Sequence, residues 1–129
     1  METYEIKDGP RFGLLLSQRE QEIRAELRAL DNLTSTVEST AGHEVLDFKD
    51  VAVEETLARL DRANAHRLEI ELSQVMSAQR RLFEHRYGKC QECGELINLQ
   101  RLLALPASAY CTACQTTLEH EKFPHPQAL

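Results

Sequence analysis

Two cysteine pairs constrain this chain more than any other feature in it. Cys90-Gln91-Glu92-Cys93 and Cys111-Thr112-Ala113-Cys114 are separated by 17 residues. A CxxC turn directs two thiolates at one centre, and two such turns supply the four soft ligands of a closed tetrahedral Zn²⁺ site. A closed site leaves no position for water or substrate, so one structural zinc ion is expected, and no catalytic one. Zinc also stands in for the core that a 25-residue segment cannot build. The same residues admit two other readings: a redox-active or disulfide-bonded CxxC, and replacement of one sulfur ligand by His85 or His120. Where thiols stay reduced, the metal reading takes precedence.

The chain on the amino-terminal side of the cysteines has a different character. Between Arg19 and Arg86 it is dominated by Ala, Glu, Leu, Arg and Gln, all strong helix formers. Leu16, Ile23, Leu30 and Val37 fall at strict seven-residue intervals, with Leu27 and Leu33 on the intermediate turns. That spacing is a coiled-coil seam. It predicts a helix over 12–38, ending near Ser39-Thr40-Ala41-Gly42. A second helix is expected over 50–86, with Leu57, Leu60, Ala65, Leu68, Leu72, Val75 and Leu82 on its apolar side. Neither helix can bury its seam alone, and a connection this short favours antiparallel packing. At 1.5 Å per residue the arms are roughly 40–50 Å long. Two arms of a larger helical bundle are the plainer alternative, against which stand the polar outer faces.

The expected fold is therefore mainly α: a long antiparallel coiled-coil hairpin joined to a small four-cysteine zinc-finger module with a carboxy-terminal helix. Residues 1–11, broken by Gly9 and Pro10, read as a loosely held arm. The hairpin takes 12–86, with an acidic tip near 43–52. The zinc module and a last helix from Thr112 to about Lys122 occupy 87–123, and 124–129 form a tail that Pro124 and Pro126 keep from helix.

Charge is unevenly spread. From Glu38 to Glu55 there are six acids and one base, whereas Gln79 to Arg101 holds five bases and three acids. The hairpin's turn is thus acidic, and the modest basic patch of Arg80, Arg81, Arg86, Lys89 and Arg101 lies beside the cysteines. A net charge of −6 gives no general attraction to phosphates, so little direct DNA binding is expected. No stretch reaches the roughly 18 apolar residues that span a membrane, and the first residues lack a secretory pattern. A cytoplasmic monomer is the expectation. No nucleophile–base pair, Gly-rich phosphate loop or open metal site is visible, so the chain does not read as an enzyme.

From Cys90 to Cys114, the four cysteines together with Ile97, Arg101 and Pro106 stand at the intervals of the DksA/TraR zinc-finger family, which the chain resembles. Gln91 departs mildly from that pattern. The resemblance extends through the helical hairpin, closer to DksA-like members than to short TraR-like ones that lack the full arm. It implies a bacterial transcription regulator that binds RNA polymerase and inserts the hairpin through the secondary channel. It also implies that Asp47, Asp50 and Ala52 form the functional tip. On their own the two aspartates read as a helix cap at Asp50 and a solvated loop acid at Asp47. Arg101 is either a polymerase contact or a brace within the module.

Relatives of this kind often act with guanosine tetraphosphate (ppGpp), the stringent-response nucleotide, held by basic residues near the zinc module. Three such positions correspond to Gln74, Leu105 and Gln115, all uncharged, and Arg67 alone remains nearby. A highly charged nucleotide needs cationic partners, so a weak or absent ppGpp response at that shared site is expected. A transcript-cleavage helper of the Gre type and a zinc-ribbon DNA-binding protein are the competing functions.

Overall fold

The structure, a computed structural model, describes the backbone of residues 2–40 and 48–122 and the side chains of residues 2–32 and 54–121. Among the described residues a 3-10 turn, Ile6–Asp8, is followed by four helices: α1 (Gly9–Thr40), α2 (Phe48–Phe83), α3 (Leu99–Ala104) and α4 (Thr112–Lys122). Among the described residues the only β pairing consists of two isolated bridges, Thr3 with Asn98 and Lys89 with Leu96. The mainly helical architecture and the paired long helices are as the sequence spacing predicts.

Two compact units divide the chain, Gln18–Ser73 and Met1–Ser17 with Gln74–Leu129. In the first unit Ile23 of α1 and Leu68 of α2 are buried, while Leu27, Leu30, Ala65 and Leu72 are half-buried. Two helices bury one stripe each, and the burial thins along α2: Leu57 and Leu60, expected in the seam, are 54% and 56% exposed. Leu33 and Val37 lie outside the described side chains. A polar clasp joins the same helices. Arg19 donates from Nε to Glu71 Oε1 at 2.6 Å and from Nη2 to Glu71 Oε2 at 2.8 Å, with a third bond from Nη1 to Glu22 at 3.0 Å. This two-pronged geometry fixes register as well as charge, and the bonds from Arg19 hold the Glu71 carboxyl below its ordinary range.

In the second unit Phe12, Leu16, Val75, Ala78 and Tyr87 are buried together with Cys90, Ile97 and Leu102 of the cysteine segment. Residues 2–8 are not a loose arm. Leu99 donates its backbone N–H to the Glu2 carbonyl at 2.8 Å, and the Tyr4 ring packs edge-on against Phe12 and Tyr87, with centroids 5.8 and 5.0 Å away. Gly88, at φ +87°, is what lets Tyr4 approach: a Cβ there would stand 2.7 Å from the Tyr4 Cβ. Pro10 does not break the helix, because a residue in the first turn has no intrahelical N–H bond to lose.

The end of α2 also differs from the sequence expectation. The helix stops at Phe83, three residues before Arg86. Arg86 donates its N–H to the Arg81 carbonyl at 2.8 Å and His85 donates to Leu82 at 3.3 Å, with His85 at φ +60°. This pair of bonds is a Schellman stop, here with His in the left-handed position that Gly fills more cheaply, by roughly 1 kcal/mol.

Candidate metal centre

The first CxxC is a tight knuckle built by backbone bonds. Gly94 donates to the Cys90 carbonyl at 2.9 Å and Cys90 donates to Glu95 at 2.8 Å, a reversal that requires Gly94 at φ +76°. The second CxxC opens α4: Cys114 N–H points at the Cys111 sulfur, 3.5 Å away, and Gln115 N–H reaches the Cys111 carbonyl at 2.9 Å. Gln91 N–H donates to the Ala109 carbonyl at 2.8 Å and so ties one knuckle to the segment leading into the other. The segment between the pairs holds α3, which Asn98 caps by accepting from Gln100 N–H at 2.9 Å. Tyr87 Oη donates to the Pro106 carbonyl at 2.6 Å, closing the module over buried Ile97 and Leu102.

These elements bring the sulfurs of Cys90, Cys93, Cys111 and Cys114 within 4.8 Å of one another. Cys93 Sγ and Cys111 Sγ are 3.9 Å apart, against about 3.8 Å for two sulfurs on a tetrahedral zinc with 2.3 Å bonds. Charge makes the same demand. Burial pushes the Cys90 thiol up, but N–H groups of Cys93, Cys111 and Glu92 together bring it down to about 6. Cys114 is pushed well above the ordinary thiol range, first by Cys111 and then by Cys90. Sulfurs this close cannot all ionise unless a cation lies among them. The residues fit the metal, and the four cysteines hold one structural Zn²⁺. His85 and His120 are exposed and outside the sulfur cluster.

Arg101 sits in α3 as a brace: its Nε donates to the Tyr110 carbonyl at 3.1 Å, one residue before Cys111. The basic patch read from sequence is largely dispersed by the fold. Arg81 is only 5% exposed, with Nη1 on Ser77 at 3.0 Å, Arg86 is taken up by Glu84 at 2.6 Å, and Arg101 faces Tyr110. Asp47 lies outside the described residues. Asp50 and Ala52 are helical in backbone, their side chains outside the description. Because α2 begins at Phe48, Asp50 falls within the first turn and not at the cap, where its charge still suits a helix amino terminus. Of the three uncharged ppGpp positions, Gln74 and Leu105 are exposed and Gln115 is bonded to Glu119 at 3.2 Å. Arg67 lies close enough to Glu71 to lower its carboxyl. No helix among the described residues is long and apolar enough to cross a membrane.

Residues 85–120 match the prokaryotic dksA/traR C4-type zinc finger. Over 111 residues the chain is 30% identical to the RNA polymerase-binding transcription factor DksA of Caulobacter vibrioides strain NA1000 / CB15N, covering 86% of this chain and 75% of that one. The protein of the same description from C. vibrioides strain ATCC 19089 / CIP 103742 / CB 15 matches to the same extent. The solved structure of transcription factor DksA2 from Pseudomonas aeruginosa shares the fold with a TM-score of 0.75 at 27% identity, over 90% of this chain and 86% of that chain.

Proposed function

The chain belongs to the DksA/TraR family, and from that premise we propose that it binds bacterial RNA polymerase and regulates initiation by inserting its hairpin into the secondary channel. The observation that carries this reading is the similarity to a polymerase-binding relative, which spans the paired helices as well as the four-cysteine module. In this reading the zinc module and the adjoining helix ends grip the polymerase surface. Asp47, Asp50 and Ala52 act near the active site, where carboxylates suit Mg²⁺ or basic side chains. The protein has no catalytic role of its own. Direct DNA binding is disfavoured by the net charge of −6 and by the basic residues that internal bonds already engage.

Binding and regulation should separate at the tip. Asp50→Asn keeps the size of the side chain and removes its charge. It is expected to leave affinity for purified core polymerase within about twofold and to reduce regulation of a responsive promoter at least tenfold. Co-elution with core polymerase tests the first half, and blocking the secondary channel should abolish it. Equal loss of binding and regulation would count against this division of labour, and transcript cleavage in backtracked complexes would favour the Gre-type reading.

The response to ppGpp at the family's shared site is proposed to be weak or absent. Gln74, Leu105 and Gln115 offer no charge, and the remaining Arg67 acts on a Glu71 carboxylate that Arg19 already holds. Inhibition of a ribosomal promoter by the protein should change less than twofold when the nucleotide is added, on polymerase whose other nucleotide sites have been removed. Strong potentiation would refute it.

A further inference from the structure

The apolar seam of the hairpin leaves its own register open. Leu16, Ile23 and Leu30 of α1 repeat at seven residues, and so do Leu68, Val75 and Leu82 of α2. Slipping one helix past the other by seven residues, about 10 Å, brings an apolar row back against an apolar row. The clasp between Arg19 and Glu71 has no such second solution. Slips of three, four or seven residues set Arg19 opposite Leu68 or Gln74, Arg67 or Val75, and Asn64 or Ala78, none of which is an acid. The same slips set Glu71 opposite no base and, in one direction, opposite Glu22 or Glu26. Stability does not account for the pair, because its side chains are 37% and 36% exposed, and ion pairs that wet contribute little. Its two parallel bonds of 2.6 and 2.8 Å supply geometry instead, since a planar guanidinium meets a carboxylate in a preferred orientation. Fixing register is the best-attested use of polar groups set along an apolar seam.

Resting on the polymerase-binding reading above, we propose that Arg19 and Glu71 are positioning residues whose bidentate pair selects the one helix register in which the hairpin's tip regulates. The pair acts through α1 and α2, not by reaching the tip. Asp50 stands 21 residues from Glu71 along α2, about 32 Å of helix. A slip of a single turn would shift the end of one helix against the other by about 5 Å. A carboxylate reaches its hydrogen-bond partner over about 3 Å, so a displacement of that size takes a tip acid out of reach. Nearer the tip the seam gives less guidance, since Leu57 and Leu60 are more than half exposed. The register is therefore set from the clasped end.

The test uses the full zinc-loaded chain with Arg19→Glu, with Glu71→Arg and with the two combined. Zinc content and helix content matching the parent establish folding in each. Spin labels carried on unnatural amino acids at Glu26 and Asn64, both exposed, report register by their separation, which should form one narrow population in the parent. Each single reversal should shift or split that population by about 5–10 Å, and the combined swap should return it. With purified bacterial core polymerase, each single reversal should keep affinity within about twofold and lower the maximal effect on a responsive promoter at least tenfold. The swap should restore that effect to within about threefold, which two independent structural losses would not do. Parent-like label separation in both single variants overturns the register role. Shifted separation with parent-like regulation overturns the link to the tip, and a swap that restores neither overturns the pairing. Failure of the parent chain itself to bind or regulate polymerase overturns the functional reading, while the label separations still decide the register.

Discussion

Chelating the zinc, or replacing a ligand as in Cys114→Ser, is expected to unfold residues 88–122 while the helices of the Gln18–Ser73 unit remain. The module has few other resources. Its buried side chains are Tyr87, Cys90, Ile97 and Leu102, and its regular structure is a helix of 6 residues, another of 11, and one internal bridge. Helices shorter than about 12–15 residues are marginal in water. Structural zinc in finger peptides is worth about 10–16 kcal/mol at neutral pH, as much as an entire small domain's stability of about 5–15 kcal/mol. Without the cation the four sulfurs also repel one another as they ionise. Hydrogen exchange should show the loss directly. The amides of Gly94, Ile97, Leu102 and Gln115, each bonded within the module, should exchange at least a hundredfold faster after chelation, while amides around Ile23 and Leu68 hold their protection. Unchanged protection at Ile97 and Leu102 would show that the apolar core suffices, and the structural role assigned to the metal would be wrong.

What the sequence disclosed, and what it hid, follows from the range over which each signal acts. The cysteine pairs were legible because a CxxC turn is set by four consecutive residues, and α4 was legible for the same reason: it starts inside the second turn, at Thr112, and runs to Lys122. The hairpin was legible because Leu16, Ile23, Leu68 and Val75 repeat at the period of a helix seam. The remaining features depend on contacts between distant segments. Tyr4 gave no local sign that it would meet Phe12 and Tyr87, and the close approach that Gly88 permits shows only in the fold. Arg81 read as one member of a basic patch, yet the roughly 100° that separates it from Arg80 on the helix turns it toward the core. Pro10 looked like a breaker only because α1 was placed to start later than Gly9. Asn98, a good cap residue, was the missed sign of α3, whose six residues carry no period of their own. At the hairpin turn the reading rests on charge and family resemblance alone, since Asp47 and the side chains of Asp50 and Ala52 lie outside the described residues.

Phe12→Ala should be among the most damaging single substitutions outside the cysteines. Phe12 is fully buried, with its ring 5.8 Å from Tyr4 and 5.4 Å from Tyr87. Truncating a buried Phe costs about 3–5 kcal/mol, combining lost transfer energy with the cavity left behind. Favourable ring pairs add about 0.5–1.5 kcal/mol each. Leu14→Ala, two residues along the same helix and mostly exposed, should stay within about 0.5 kcal/mol of the parent. Urea unfolding of the zinc-loaded protein, followed by tyrosine emission, separates the two. A second readout distinguishes a simple cavity from the role argued for this ring. If Phe12 holds the Tyr4 strap against Tyr87, its loss should release residues 2–4 locally, and the Leu99 amide, bonded to the Glu2 carbonyl at 2.8 Å, should exchange much faster even where the rest of α3 stays protected. A large fall in stability with Leu99 protection intact would mean that the strap holds through the Thr3–Asn98 bridge and the Gly88 contact without the ring beneath it.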